Sequence, residues 1–167
     1  MADIVTVHAA TECDVDDIVA VLRANQADPS LFQRSPANVQ VWLPDFLVAR
    51  DSSDRVVGCA ALHRHAAHLS EILSVAVQPA AQGQGTGRLL VEASLARAAE
   101  AGIARLWLAT LKPSYFARFG FRPISRWELP ATVLLLKLTQ VFLQSPRRWC
   151  PALVGRQTFM LRASGSA

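Results

Sequence analysis

Cysteine is scarce in this 167-residue sequence: Cys13, Cys59 and Cys150 are odd in number and widely spaced. That argues against a disulfide framework and against zinc-ribbon spacing, so reduced thiols are the expectation. A membrane-length apolar run is also missing. The longest stretch, ATVLLLKLTQVFL from Ala131 to Leu143, is broken by Lys137, Thr139 and Gln140 and falls short of the ~20 residues a span needs. It reads as a buried or interface helix, with no membrane partner expected. The opening MADIVTVHAATECD has no basic leader followed by an apolar stretch, so no secretory signal is visible and a cytoplasmic location is expected. The net charge is +4, but the basic residues are scattered and adjoin only at Arg147 and Arg148, so nucleic-acid binding is not indicated. A modest positive field suits an anionic ligand. Repeats, low-complexity tracts and long linkers are absent. With 51% hydrophobic and 18% charged residues, residues 1–167 suit a single domain with a sizeable core.

Alternation and run length predict a first strand over Ile4–His8, then a helix over VDDIVAVLRAN with Asp14 as its N-cap. In LFQRSPANVQVWLPDF a second helix starts at Ser35, before Pro44 turns the chain into the strand FLVAR. Polar DSSD at 51–54 reads as a hairpin turn into RVVGCAALHRH, and HLSEILSVAV follows as the third strand of an antiparallel meander. A glycine-rich segment comes next, then a helix over GRLLVEASLARAAEAG that ends at Gly102. The strand ARLWLAT completes a strand, helix, strand crossover, so its two strands are expected to lie parallel. SYFARFGF reads as a short helix ending at Gly120 and entering another strand, and RQTFMLR as the last strand before a frayed ASGSA. The expected fold class is therefore α/β of the mixed α+β kind, a central mixed, mostly antiparallel sheet flanked by helices.

The glycine-rich segment, VQPAAQGQGTGRLL, places Gly83, Gly85 and Gly87 at alternate positions between a strand and a helix. Such a turn presents several backbone N–H groups to one point, which the helix dipole makes attractive to phosphate. Glycine removes the Cβ that would block a close ligand and admits positive φ. A dinucleotide fingerprint fails, because Arg88 or Leu90 stands where its third glycine would be, and the P-loop pattern fails for want of a lysine. Arg88 in the first helical turn opposes the dipole by a few tenths of a kcal/mol unless an anion is meant to sit there.

What fits is Q-x-x-G-x-G, with Gln82, Gly85 and Gly87, preceded by VAVQP and followed by RLL. This resembles the acetyl-CoA signature of the GNAT superfamily of N-acetyltransferases. LFQRS, FLVA, VVGCAALH, LSEI, LAT and YFARFGF extend the resemblance over residues 5–130, to short bacterial amino-acid N-acetyltransferases of the N-acetylglutamate synthase type. The resemblance implies the GNAT fold and acetyl-CoA as cosubstrate, with no metal. It implies that the backbone of Val75 and Val77 pairs with the pantetheine arm, and that the amides of Gly83, Gln84, Gly85, Thr86, Gly87 and Arg88 hold the diphosphate.

Direct transfer of acetyl to an amine needs a base, because an ammonium group titrates near 8 to ~10. Glu71 stands six residues before Val77, where histone acetyltransferases of the superfamily carry their catalytic glutamate, and is the first candidate; a structural ion pair is the other reading. On a regular strand Glu71, Leu73, Val75 and Val77 would share one face. A backbone N–H near Val77 is implied as the oxyanion donor. The position of the family's usual acid is Phe116, with Tyr115 one place earlier. Tyr115 is either that acid or an aromatic anchor, and a thiol with pKa near 8.5 leaves as thiolate at a cost of only ~2 kcal/mol.

Arginine-pathway relatives read Glu-Ile-Arg where this sequence has EIL, so Leu73 replaces a guanidinium that could meet a substrate carboxylate. Arg34 matches the family's arginine in LFQRS and either binds a carboxylate or faces solvent. The cysteine-rich C-terminal pattern of those relatives is missing, which makes glutamate a doubtful substrate. Metal binding needs three or four converging ligands, and for His63, His65 and His68 the resemblance implies no such site. One of them lines the acceptor pocket or assists as base, or they decorate a strand end. The helix at 131–143, with Trp149 after it, covers the sheet or builds a homodimer contact. The function implied is acetyl-CoA-dependent N-acetylation of a small amine, an amino acid or related compound. Acetylation of a protein N-terminus or lysine, or a catalytically silent acyl-CoA-binding module, stays open.

Overall fold

The computed structural model describes residues 4–28, 31, 33–135 and 157–163. Among these residues seven strands form one open sheet: β1 (Thr6–Ala9), β2 (Phe46–Arg50), β3 (Val56–Ala66), β4 (Leu69–Val77), β5 (Arg105–Thr110), β6 (Arg122–Ile124) and β7 (Thr158–Ala163), in the spatial order β1-β2-β3-β4-β5-β7-β6. Every neighbouring pair is antiparallel except β4 with β5. That parallel pair is the expected crossover, made through the helix α3 (Thr86–Glu100). Further helices among the described residues are α1 (Val15–Ala24), α2 (Pro36–Val41) and α4 (Pro113–Ala117), besides the helical residues 131–135. The mixed, mostly antiparallel sheet with flanking helices agrees with the expected class.

One face of the sheet carries α1 and α2, whose Ile18, Val21, Leu22 and Val39 bury against Phe46, Val48, Cys59, Ala61 and Leu73. The other carries α3 and α4, with Val91, Ala98 and Phe116 against Leu62, Ile72, Leu108 and Met160. Burial of these side chains, each worth about 1.5–3 kcal/mol, locks the strand register and with it the placement of the site.

Local details refine the expected elements. The first strand begins two residues later, at Thr6. Asp14 stands before α1 but makes no side-chain capping bond there. Its carboxylate instead accepts from Thr11 N and Oγ1, at 2.7 and 2.9 Å, and pairs with Arg50, so the chain enters the helix through a 3-10 turn started by Thr11. Ser35 does cap α2, accepting from Asn38 N, with Pro36 opening the helix. α3 ends one residue before Ala101, and Gly102 at φ +65° donates to Ala99 O while Ile103 donates to Ala98 O, a Schellman closure. Of the apolar stretch at 131–143, residues 131–135 are helical, and Val133 packs with Leu69, Trp107 and Leu161. The remainder, with Trp149 and the dimer contact predicted for it, lies outside the described residues, as do Cys150 and the tail at 164–167.

Candidate active site

β4 and β5 pair for three residues only, Leu69 with Arg105, Ser70 with Leu106 and Glu71 with Trp107. Beyond Glu71 the ladder ends and the strands diverge. Between them lies a cavity of about 1060 Å³, walled by β4 from Glu71 to Val77, by Leu108, Ala109 and Thr110 of β5, and by the start of α3. The edge of β4 facing this cleft has no strand partner among the described residues, which leaves backbone groups available to a ligand that can pair as a strand does.

The other edge of β4 is interrupted. Leu73 pairs with Ala61 and Ala76 with Cys59, so Ser74 and Val75 together oppose Ala60 in a bulge. Ser74 adopts φ +54°, a conformation that costs a non-glycine residue roughly 1–2 kcal/mol. The bulge overturns the regular-strand expectation that Glu71, Leu73, Val75 and Val77 share a face. Leu73 and Ala76 pack toward α1 and α2, whereas Val75 and Val77 pack with Ala60 and Leu90 on the α3 side. Glu71 pairs with His63 across the sheet and belongs with Leu73.

At the far end of the cleft the glycine turn opens α3. Gly83 and Gly85 take φ +78° and +91°, and a Cβ built on either meets nothing within 4 Å, so both face open space. Gly83, Gly85, Gly87 and Arg88 line the cavity together with Val75, Val77 and Gln82. Gln82 also secures the turn: its Nε2 donates to Val77 O and to Asn25 Oδ1, at 3.0 and 3.1 Å, while Asn25 Nδ2 donates to the same Val77 carbonyl at 3.0 Å. Gln84 and Thr86 are not on the cavity wall. Gln84 donates to Ala80 O, and Thr86 is buried with its hydroxyl toward Ala81 O. Arg88 is exposed and held by Glu92 at 2.8 Å.

Tyr115 reaches across from α4. A Cβ on Gly87 would lie 3.1 Å from its hydroxyl and 3.7 Å from Val77 Cγ2, so this phenol sits over the first turn of α3. Burial pushes the Tyr115 hydroxyl above its ordinary pKa, against the opposing charge of Arg118, whose guanidinium lies 5.1 Å from the ring. Phe116 is buried among Val91, Leu108 and Phe121.

Glu71 is buried yet lines the cleft, and His65 Nε2 lies 3.0 Å from its Oε2. His63 Nδ1 lies 2.7 Å from Asp45 Oδ2. The two histidines therefore do not merely decorate a strand end; only His68 is exposed, at the turn between β3 and β4. No group of three or more His, Cys, Asp or Glu that could hold a metal occurs among the described residues. Arg34 does not face solvent alone. Its guanidinium lies over Trp42 at 4.7 Å, donates to Asn38 Oδ1 at 2.8 Å and approaches Ser74 Oγ at 3.4 Å. Burial lowers its pKa, and the charge of Glu71 opposes that shift. Ser74 and Leu73 are on the cavity wall; Arg34 stands behind them.

Residues 16–121 match the sequence profile of the Acetyltransferase (GNAT) family. The chain belongs to this family. An N-acetyltransferase from Chlorobaculum tepidum of uncharacterised role is 31% identical to this acetyltransferase over 127 residues, 76% of the chain and 81% of the relative. An amino-acid acetyltransferase from Mycobacterium tuberculosis is 34% identical over 105 residues, and the match spans 62% of this chain and 60% of that enzyme. Against the amino-acid acetyltransferase of Neisseria meningitidis serogroup A the match spans only 30% of the relative's length, at 33% identity. Among solved structures, a Mycobacterium tuberculosis protein in complex with CoA and NLQ superposes with a TM-score of 0.80 at 28% identity, covering 95% of this chain and 98% of that one. N-acetylglutamate synthase from Neisseria gonorrhoeae, complexed with coenzyme A and N-acetyl-glutamate, superposes at 0.75 with 28% identity, covering 96% of this chain and 35% of that one.

Three residues of the acetyltransferase site were not singled out from sequence. Asn25, at the end of α1, holds the Val77 carbonyl. Gly58 on β3 lets α3 approach, since a Cβ there would lie 3.0 Å from Leu90 Cδ1 and 3.1 Å from Ala76 O. Trp42 stacks with His63, ring centroids 4.1 Å apart. Only the glycine carried a readable signal, as a small residue inside an otherwise apolar strand.

Proposed function

We propose that the protein transfers acetyl directly from acetyl-CoA to the amine of a small molecule, an amino acid or related compound. The observation that carries this reading is the cleft itself. One end has a buried carboxylate, Glu71, and the other a glycine turn at the N-terminus of a long helix, joined by the unpaired edge of β4. In this reading the N–H groups of the turn from Gly83 to Arg88 take the diphosphate, and the backbone at Val75 and Val77 pairs with the amide-bearing arm. CoA in the related structures and amino-acid acetyltransferases among the relatives support the donor and the acceptor class.

Glu71 takes the proton of the incoming ammonium, directly or through water, and a backbone N–H near Val77 stabilises the oxyanion. Tyr115, above the first turn of α3, is the candidate to protonate the departing thiolate; its raised pKa keeps the phenol protonated at neutral pH. The acceptor side of the cleft presents Leu73, Leu108 and Ala109, which favours an amine carrying a less acidic side chain than glutamate. Arg34, behind Ser74, supplies a fixed positive charge beside Glu71 and is the candidate to attract a substrate carboxylate.

The test follows CoA-thiol release with a panel of amino acids, polyamines and peptides, comparing wild type with Glu71→Gln. Amine-dependent release that falls at least a hundredfold in the variant is expected, in line with the usual contribution of a general base. Preference for peptides would redirect the reading to protein acetylation. Acetyl-CoA binding without release for any amine would leave a silent module.

A further inference from the structure

The histidines of HRHAAH occupy a position that the reaction outlined above does not use. His63 and His65 lie within a continuous row of planar groups across the α1 and α2 face of the sheet. The Arg34 guanidinium covers Trp42; Trp42 stacks on His63 at 4.1 Å; His63 meets His65 edge-on at 4.8 Å; His65 approaches Trp107 at 5.7 Å, and Trp107 stacks on Phe159 at 6.1 Å. Glu71 sits beside this row, with its Oε2 3.0 Å from His65 Nε2, and the two side chains are only 4% and 5% exposed.

An ionised carboxylate at that depth is costly unless a donor meets it. His65 is placed to be that donor, and its other nitrogen decides the protonation state. His65 Nδ1 is buried and has no hydrogen-bond partner among the described residues. An imidazolium would carry an N–H there with no acceptor, at a penalty of about 1–3 kcal/mol, whereas a bare lone pair on a neutral ring is tolerated more readily. The Nε2–H tautomer of neutral imidazole gives its one N–H to Oε2 and leaves only a lone pair at Nδ1.

We propose that His65 is a positioning residue for Glu71: a neutral imidazole that donates Nε2–H to Oε2 and so keeps the buried carboxylate ionised and oriented at the cleft wall. This rests on the reading of Glu71 as the base. His65 takes up no proton in the cycle, so the proton that Glu71 removes from the amine leaves through the cleft. Among the described residues, charged groups near this pair include Arg34, which favours the carboxylate, and Asp45, which is bonded to His63. His63 is the other titratable ring in contact with His65; Trp107 and Phe159, from β5 and β7, are uncharged. Of these, His65 is the one within hydrogen-bond distance of Oε2, reaching it from β3.

The experiment measures kcat/KM against pH for wild type, His65→Phe, His65→Gln and Glu71→Gln with one amine. The amine's own titration is common to all four, so differences between them report on the enzyme. His65→Phe removes the donor, and its acidic limb is expected to move up by about one pH unit or more, with activity recovering above that limb. His65→Gln retains an N–H at nearly the same place and is expected to restore the limb to within a few tenths of a unit. An unmoved limb in His65→Phe, or an equal shift in both variants, would overturn the proposal. Should His65→Phe fold poorly, nitrogen NMR of the wild-type imidazole decides: a neutral Nε2–H ring at pH 7 is expected, and an imidazolium refutes it. Undiminished turnover in Glu71→Gln would sink the base assignment itself, a result separable from failure of the His65 variants alone.

Discussion

Gly58→Ala tests the coupling between core packing and the glycine turn. The added Cβ would lie 3.0 Å from Leu90 Cδ1, 3.1 Å from Ala76 O and 3.3 Å from Thr86 Cγ2. None of these can yield cheaply: Leu90 and Thr86 are fully buried, and the third is backbone next to the β4 bulge. The N-terminal end of α3 must therefore lift from the sheet by a few tenths of an ångström. Overpacking of this kind costs ~1–3 kcal/mol, offset by ~0.4–1 kcal/mol for the reduced freedom of the unfolded chain. The net loss, ~1–2 kcal/mol, corresponds to a Tm lowered by about 2–8 °C in a domain of this size. Because the lifted turn is the one from Gly85 to Arg88, the KM for acetyl-CoA should rise while kcat at saturation stays within a factor of two. Thermal unfolding and initial rates at varied acetyl-CoA measure both. A variant as stable as wild type with an unchanged KM refutes the argument.

Gly85→Val should weaken CoA binding by more than tenfold in calorimetry. A β-branched residue at φ +91° is strained and would project into the cavity, although no protein atom opposes its Cβ; retained affinity would remove the turn from donor binding. Leu73→Arg places a cation on the acceptor wall and should raise the glutamate-to-leucine ratio of kcat/KM about tenfold, as one charge-assisted hydrogen bond allows. An unchanged ratio excludes that position from acceptor choice. Burial pushes the Cys59 thiol from an ordinary 9.0 up to about 12. A folded pKa above the unfolded one means stability that is intact below pH 9 and lost as pH rises from 9 toward 12, at up to ~1.4 kcal/mol per unit. Urea unfolding at pH 9 and 10 should show a steeper loss for wild type than for Cys59→Ala, and parallel losses would count against it.

Much of the fold was readable because its signals are local. Ser35 with Pro36, Gly102 and the DSSD turn mark element ends by backbone preference alone, and the crossover follows from the order of elements. The glycine turn was legible for the same reason. What escaped depends on partners distant in sequence. Asp14 looks like a cap until Thr11 and Arg50 compete for its carboxylate, and His65 looks like a strand-end residue until β4 brings Glu71 beside it. Nothing local at Ser74 announces a bulge, because an extra residue is defined only against the strand it faces.

That extra residue works like a shift of reading frame within one strand. Before it, β4 is read by its side chains, with Glu71 and Leu73 turned to one face; after it, inward and outward exchange, and Val75 and Val77 anchor on α3. Deleting Ser74 would remove the bulge yet leave Val75 and Val77 on the α3 side, because Val75 would then follow Leu73 directly and oppose Ala60 alone. That single inserted position is why Val75 and Val77 face away from Leu73 although all three are spaced by two in the sequence.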